Sequence, residues 1–125
     1  ITLLYAILLG ATYKNLLNKA PFISNMKPKL VRDKIPEIIK NSDKTPKTHI
    51  ANNDEYWKEL KDKLLEEVNE FLEDNSSEEL ADIQEVLYAI YDFKGFSKEE
   101  IESIRSKKEN ERGGFKNKII LESVE

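Results

Sequence analysis

Apolar residues recur at helical spacing in two neighbouring segments in the middle of the chain. An α-helix advances about 100° per residue, so residues three or four apart share a face. The first segment predicts a helix from a cap at Asn53 or Asp54 to about Glu73, and the second a helix from about Ser77 to Lys94, ended by Gly95. The apolar face of the first helix comprises Trp57, Leu60, Leu64, Val68 and Phe71.

Shorter elements are predicted on both sides of this pair. Pro36 suits the first turn of a short helix that continues to Lys40, and Ser97 suits the cap of a last helix running to Glu111. Residues 115–124 read as a strand that could pair with residues 47–51. The short loop between the two long helices predicts an antiparallel hairpin. We therefore expect an all-α helical bundle around this central hairpin, to which the extended segments could add a small two-stranded β element.

The start of the chain differs from the rest in composition. Residues 1–11 form an apolar run, and the first acidic residue is Asp33. About 20 residues are needed to span a bilayer as a helix, and no positive region precedes the run as a signal peptide requires. The one methionine, Met26, directly precedes the first segment patterned like a globular domain. We therefore expect residues 1–25 to be an extension without chemistry and residues 26–125 to be the functional domain.

Charge and cysteine content narrow the possible partners. The chain carries 20 basic and 24 acidic residues, a net charge of −4, and the basic residues are interspersed with acids rather than collected in a stripe. This distribution argues against nucleic acid as a partner, and no segment predicts a membrane association. The absence of cysteine fits a reducing cytoplasm. We expect a cytoplasmic protein of one folded domain.

Two pairs of acids stand at helical spacing where hydrocarbon is expected. On the first helix Glu67 projects between apolar neighbours, with Glu70 roughly 60° further round. On the second, Glu79 and Asp82 both face the apolar stripe. A buried ionised carboxylate costs several kcal/mol unless it pairs with a base, protonates or binds a metal. We expect no basic residue on the same arc of either helix, which leaves protonation or a divalent cation.

Four converging carboxylates favour a hard cation, Mg²⁺ with Mn²⁺ as a possible substitute, over zinc. His49 is the only imidazole, so a zinc site of the usual ligands is not expected. A purely structural alternative exists for one acid, because Ser76-x-x-Glu79 is also a capping box. That alternative explains neither Asp82 nor Glu67.

These motifs resemble the MazG-type all-α nucleoside triphosphate pyrophosphohydrolases, in which Glu-Glu-x-x-Glu on one helix is followed by Glu-x-x-Asp on the next. The segments Lys29–Pro36 and Lys108–Phe115 are similar to a narrower subgroup of house-cleaning enzymes, so that the resemblance covers nearly all of residues 27–125. It implies the metal ligands Glu67, Glu70, Glu79 and Asp82 and the catalytic acids Glu66, Glu67 and Glu70.

The resemblance also implies a reaction: a metal-activated water cleaves a nucleoside triphosphate, standard or modified, to the monophosphate and pyrophosphate. Relatives include phosphoribosyl-ATP pyrophosphohydrolases, which leaves that substrate open, and relatives form homodimers or larger homo-oligomers. The negative phosphates require nearby cations, for which we expect Arg32, Lys34, Lys108 and Arg112. The competing hypothesis is a non-catalytic helical module whose acids point outward to a basic partner.

Overall fold

The computed structural model describes residues 27–125, and within this range it contains four α-helices and no β-strand. The predicted all-α class is confirmed. The apolar run and the proposed start at Met26 lie outside the described residues. None of the helices within residues 27–125 is long and apolar enough to cross a membrane. The helices are α1 (Ile35–Asn41), α2 (Asn53–Asp74), α3 (Ser77–Lys94) and α4 (Lys98–Arg112).

Helix α2 begins and ends at polar residues that satisfy its backbone. The Asn52 side chain accepts a hydrogen bond of 2.9 Å from the backbone N–H of Glu55, so the cap lies one residue before Asn53, the nearer of the two predicted positions. At the other end Asn75 adopts φ 57°, and its N–H donates to the Phe71 carbonyl. Asparagine tolerates this left-handed conformation better than most residues, and the chain turns sharply there.

Helices α2 and α3 form the predicted hairpin. Only Asn75 and Ser76 separate them, and so short a connection makes the two helices antiparallel neighbours. Leu60 and Val86 are the buried apolar residues of this pair, with 1% and 8% of their surface exposed. The end of α2 and the start of α3 are therefore held side by side, which is what positions the acids of both helices.

The chain divides into two compact units, the first reaching Ile90 and the second comprising Tyr91–Glu125. The described part of the first contains α1, α2 and most of α3. The second contains the end of α3, Gly95 at φ 77° and α4, whose first turn is capped by the Ser97 hydroxyl accepting from the Glu100 N–H at 3.0 Å. Both predicted helix boundaries around Gly95 are confirmed.

The predicted β element is wrong for the described chain. Residues 47–51 are irregular, and residues 115–124 form a bend, a turn and coil without strand pairing. Strand pairing in water needs an apolar face to be covered, whereas the apolar side chains of this tail are 77–98% exposed. The apolar spacing alone did not supply a partner strand. The exposed side chains are Phe115, Ile119, Ile120, Leu121 and Val124.

Candidate metal centre

Three acids of the hairpin converge on one point. Glu67 of α2 and Glu79 and Asp82 of α3 each offer a carboxylate oxygen, and these oxygens lie within 4.8 Å of one another. Glu79 and Asp82 are three residues apart and share one face of α3. The antiparallel hairpin sets that face against the last third of α2. We call Glu67, Glu79 and Asp82 the acid cluster.

The acid cluster is largely withdrawn from solvent. Only 2% of Glu67 and 1% of Glu79 is exposed, as the helical wheel predicts for both acids. Their Oε2 atoms are buried and have no hydrogen-bond partner among residues 27–125. The Asp82 side chain, 30% exposed, marks the open side of the cluster. Buried polar atoms are normally hydrogen-bonded, so two unpartnered carboxylate oxygens in one place indicate a proton, a water or a bound cation there.

The electrostatics of Glu79 follow from this crowding. Burial raises the pKa of Glu79 from its ordinary 4.5 to about 7, and the negative charges of Asp82, Glu67, Glu70 and Asp74 act in the same direction. Desolvation penalises the charged form of a carboxyl group, and neighbouring carboxylates add to the penalty. Without a bound cation, Glu79 is therefore partly protonated at neutral pH.

The capping-box interpretation accounts for only part of Glu79. The Ser76 hydroxyl does accept a hydrogen bond of 3.3 Å from the Glu79 backbone N–H, which is the first half of that motif. The Glu79 carboxylate, however, contributes an oxygen to the acid cluster and leaves Oε2 without a partner in the described chain. The backbone of this residue serves the helix start, and its side chain serves the cluster.

The expectation that no base shares the arc of these acids is wrong. Lys63 lies four residues before Glu67 on α2, and its Nζ is 3.2 Å from Glu67 Oε1. Its side chain is only 13% exposed, so this is a largely buried pair. Burial raises the pKa of Glu67, while the charge and the hydrogen bond of Lys63 act against that rise. Positions four apart are neighbours on a helix, so the sequence already held this signal.

A second lysine, Lys29, also reaches these acids, from the segment before α1. Its Nζ donates to Glu66 Oε1 at 2.6 Å, and the Nζ of Lys63 lies 3.8 Å from Glu66 Oε2. Burial lowers the pKa of Lys29, as expected for an ammonium group taken out of water. The predicted catalytic acid Glu66 thus has a lysine at each oxygen. Sequence reasoning missed Lys29 because a contact across 37 residues has no local signal.

The same segment carries Arg32 to the open side of the cluster. Arg32 Nη2 donates to Asp82 Oδ1 at 2.8 Å, and the Arg32 side chain remains 56% exposed. The segment before α1 therefore contacts both helices of the hairpin: Lys29 contacts Glu66 of α2, and Arg32 contacts Asp82 of α3. The predicted phosphate-binding residue Arg32 is placed next to a predicted metal ligand.

The remaining predicted site residues are placed less closely. Glu70 is buried, with 2% exposed, and its charge acts on Glu79, but it stands outside the group of three oxygens. Lys34 is exposed at the start of α1. Lys108 and Arg112 are exposed near the end of α4, in the second unit. Their roles in phosphate binding stay predictions.

The donor set of the cluster fits a hard divalent cation. Its candidate ligands are all carboxylate oxygens, which Mg²⁺ and Mn²⁺ prefer, and it offers neither sulfur nor imidazole nitrogen. Two of the three acids are buried with an orphaned oxygen, which a cation would satisfy. Without a metal, the negative charge of these acids can instead be reduced in two ways. One acid can be protonated, and Lys63 and Arg32 form ion pairs with Glu67 and Asp82.

Comparison with known proteins shows a short similarity to one protein. An uncharacterized protein of Mycolicibacterium smegmatis is 54% identical over 41 residues, which are 33% of this chain. The aligned part is 42% of that protein, so the chain spans less than half of its length. No protein-family model and no solved structure matches the chain.

Proposed function

We propose that this chain is a Mg²⁺-dependent hydrolase that cleaves a nucleoside triphosphate to the monophosphate and pyrophosphate. The observation that supports it is the acid cluster itself: three carboxylates from two helices within 4.8 Å, two of them buried with an unpartnered oxygen. Crowded like charges destabilise a protein, so their retention in one place is typical of a functional site. The resemblance of the two acid motifs to MazG-type enzymes supplies the reaction.

Each group near the cluster has a definite part in this proposal. Glu67, Glu79 and Asp82 would hold the cation. The buried Glu70 would add negative charge near them. A bound divalent cation would lower the pKa of water and offset the charge of the leaving pyrophosphate. Arg32, at the exposed side, would bind a phosphate oxygen, because guanidinium pairs well with phosphate.

The buried lysines act on the acids rather than on the substrate. Lys63 holds Oε1 of Glu67, while Oε2 has no hydrogen-bond partner in the described chain and could bind the cation. Glu66, held by Lys29 and Lys63, keeps those two ammonium groups in place. A role for Glu66 or Glu70 in orienting the attacking water belongs to the same proposal.

The outward-facing acidic module is the less favoured hypothesis. It requires acids that are accessible to a basic partner, whereas Glu67 and Glu79 are almost completely buried.

We also propose that the protein is cytoplasmic and forms a homo-oligomer. Apolar residues left exposed on the hairpin support the homo-oligomer. Leu65 and Leu72 of α2 are 63% and 66% exposed, and Leu80 of α3 is 50% exposed.

The test of the proposed function is release of pyrophosphate from a panel of nucleotides with Mg²⁺ and with Mn²⁺. The panel contains standard and modified nucleoside triphosphates and phosphoribosyl-ATP. We expect turnover of at least one compound and a loss of about 100-fold or more in Glu67→Gln and Asp82→Asn. Glu73→Gln, which removes an exposed acid of α2, is the matched control and should retain wild-type turnover.

Two outcomes would reject the proposal. One is a wild-type protein that is folded by circular dichroism yet releases no pyrophosphate from any compound with either metal. The other is wild-type turnover in both Glu67→Gln and Asp82→Asn. Fastest turnover of phosphoribosyl-ATP would keep the reaction class and assign the substrate.

A further inference from the structure

Arg32 is paired with a carboxylate that a divalent cation in the acid cluster would also use. Arg32 Nη2 lies 2.8 Å from Asp82 Oδ1, and an oxygen of Asp82 belongs to the acid cluster. A cation bound by the cluster would face the positive guanidinium at short range. The two positive groups repel each other, and each neutralises the same negative charge. Binding of one therefore weakens the hold of the other on Asp82.

Of the three basic side chains that residues 27–125 place beside the cluster, Arg32 is the most exposed. Its side chain is 56% exposed, compared with 13% for Lys63 and 18% for Lys29. An exposed ion pair contributes little to stability because water solvates both partners, so it exchanges partners easily. The two lysines are enclosed and paired with Glu66 and Glu67, and their displacement would bury unpaired charge.

Arg32 also stands where a substrate phosphate would arrive. Asp82 is the most exposed acid of the cluster, at 30%, so the Arg32–Asp82 pair lies at its open side. A guanidinium group binds phosphate with two parallel hydrogen bonds, which makes phosphate a good replacement for the single bond to Asp82.

We propose that Arg32 is a metal-displaced latch: it neutralises Asp82 in the metal-free protein and passes to a substrate phosphate when the cation takes Asp82. This inference rests on the proposed function for the identity of the phosphate ligand. Coupling of this kind is reciprocal, so nucleotide binding removes Arg32 from Asp82 and tightens the metal site, while metal binding frees Arg32 for the nucleotide. The latch therefore favours joint binding over binding of either ligand alone.

The test measures metal affinity and nucleotide affinity in the same variants. Free Mn²⁺ is followed by electron paramagnetic resonance during titration of metal-free protein, and KM is measured for the fastest nucleotide of the panel at saturating Mg²⁺. We expect Arg32→Met to bind Mn²⁺ about threefold more tightly, because the competitor is gone. We expect its KM to rise about tenfold, because a charged hydrogen bond to phosphate is lost.

Two further variants separate the latch from simpler explanations. Lys40→Met removes an exposed positive charge from α1 and should change neither affinity by more than about twofold. Arg32→Lys keeps the charge but not the planar guanidinium, so Mn²⁺ affinity should stay near wild type while KM still rises. A residue that merely supports the fold would weaken both affinities in Arg32→Met. That result, or an unchanged Mn²⁺ affinity, would overturn the latch.

Failure of the latch and failure of the proposed function give different results. The Mn²⁺ titration requires no turnover. A tighter Mn²⁺ site in Arg32→Met without pyrophosphate release from any nucleotide would reject the enzyme and keep the competition for Asp82. Normal pyrophosphate release with unchanged Mn²⁺ affinity in Arg32→Met would keep the enzyme and reject the latch.

Discussion

Replacing Glu79 with glutamine is expected to raise the melting temperature of the metal-free protein at pH 8 and to reduce the further rise expected with Mg²⁺. The Glu79 carboxylate is 1% exposed, and its pKa of about 7 lies well above the ordinary 4.5. At pH 8 the folded protein must hold it ionised, among other carboxylates. Glutamine has nearly the same shape without the charge, and its amide can donate to an oxygen of Glu67 or Asp82.

The expected gain in the free energy of unfolding is on the order of 2 kcal/mol, or roughly 10 °C for a domain of this size. The expected loss concerns the metal. Mg²⁺ at 100 times its dissociation constant would stabilise the wild type by about 2.7 kcal/mol, and the variant lacks a ligand for it. Thermal melting without Mg²⁺, and at Mg²⁺ concentrations raised in 10-fold steps, measures both effects.

Glu78→Gln is the matched control for this variant. Glu78 is the neighbouring acid in the first turn of α3 and is exposed, so its replacement removes the same formal charge near the same helix end. We expect a metal response like that of wild type. Equal behaviour of Glu78→Gln and Glu79→Gln would mean that net charge, rather than the buried acid cluster, governs the stability of the protein.

Stability of the metal-free protein is expected to fall as pH rises from 5 to 7. Burial raises the pKa of Glu79 to about 7 and also raises the pKa of Glu67. A carboxyl group whose pKa is higher in the folded state binds its proton more tightly there. Its contribution to stability is complete below the unfolded pKa near 4.5 and is lost as pH passes through the folded value. For Glu79 most of the loss therefore falls between pH 4.5 and about 7.

Saturating Mg²⁺ should flatten this pH dependence, because the cation keeps the acids ionised at every pH in the range. The measurement is chemical unfolding at pH 5, 6 and 7 with and without Mg²⁺. The background is His49→Gln, which removes the one histidine of the chain, paired with Glu55 at 2.9 Å, from the measurement. Metal-free stability that increases over this range would contradict the assigned crowding of acids.

The helical periodicity of the sequence predicted most of what positions the candidate site. Wheel positions placed Glu67 and Glu79 inward, and both are almost completely buried. A two-residue loop between long amphipathic helices permits little besides an antiparallel hairpin, so the meeting of the two acid pairs followed from local pattern. The periodicity of 3.6 residues is a property of each helix alone, which is why these features were accessible.

The contacts of the basic side chains with these acids were harder to predict from the sequence. Lys29 and Arg32 reach their acids across 37 and 50 residues, and such contacts depend on how an irregular segment crosses the hairpin. No wheel of a single helix contains that information. The pairing of Lys63 with Glu67 could have been predicted from the sequence, because Lys63 lies one helical turn before Glu67. The strand prediction for residues 115–124 was wrong for another reason: apolar spacing in one segment does not supply a partner strand.

The central claim is that Glu67, Glu79 and Asp82 together hold one divalent cation. Titration of the metal-free protein with Mn²⁺, with free Mn²⁺ followed by electron paramagnetic resonance, tests it most directly. The structure predicts saturation at one Mn²⁺ per chain and an affinity at least about tenfold weaker in Glu79→Gln. Absence of saturable binding in the wild type, or equal binding in Glu79→Gln, would contradict it.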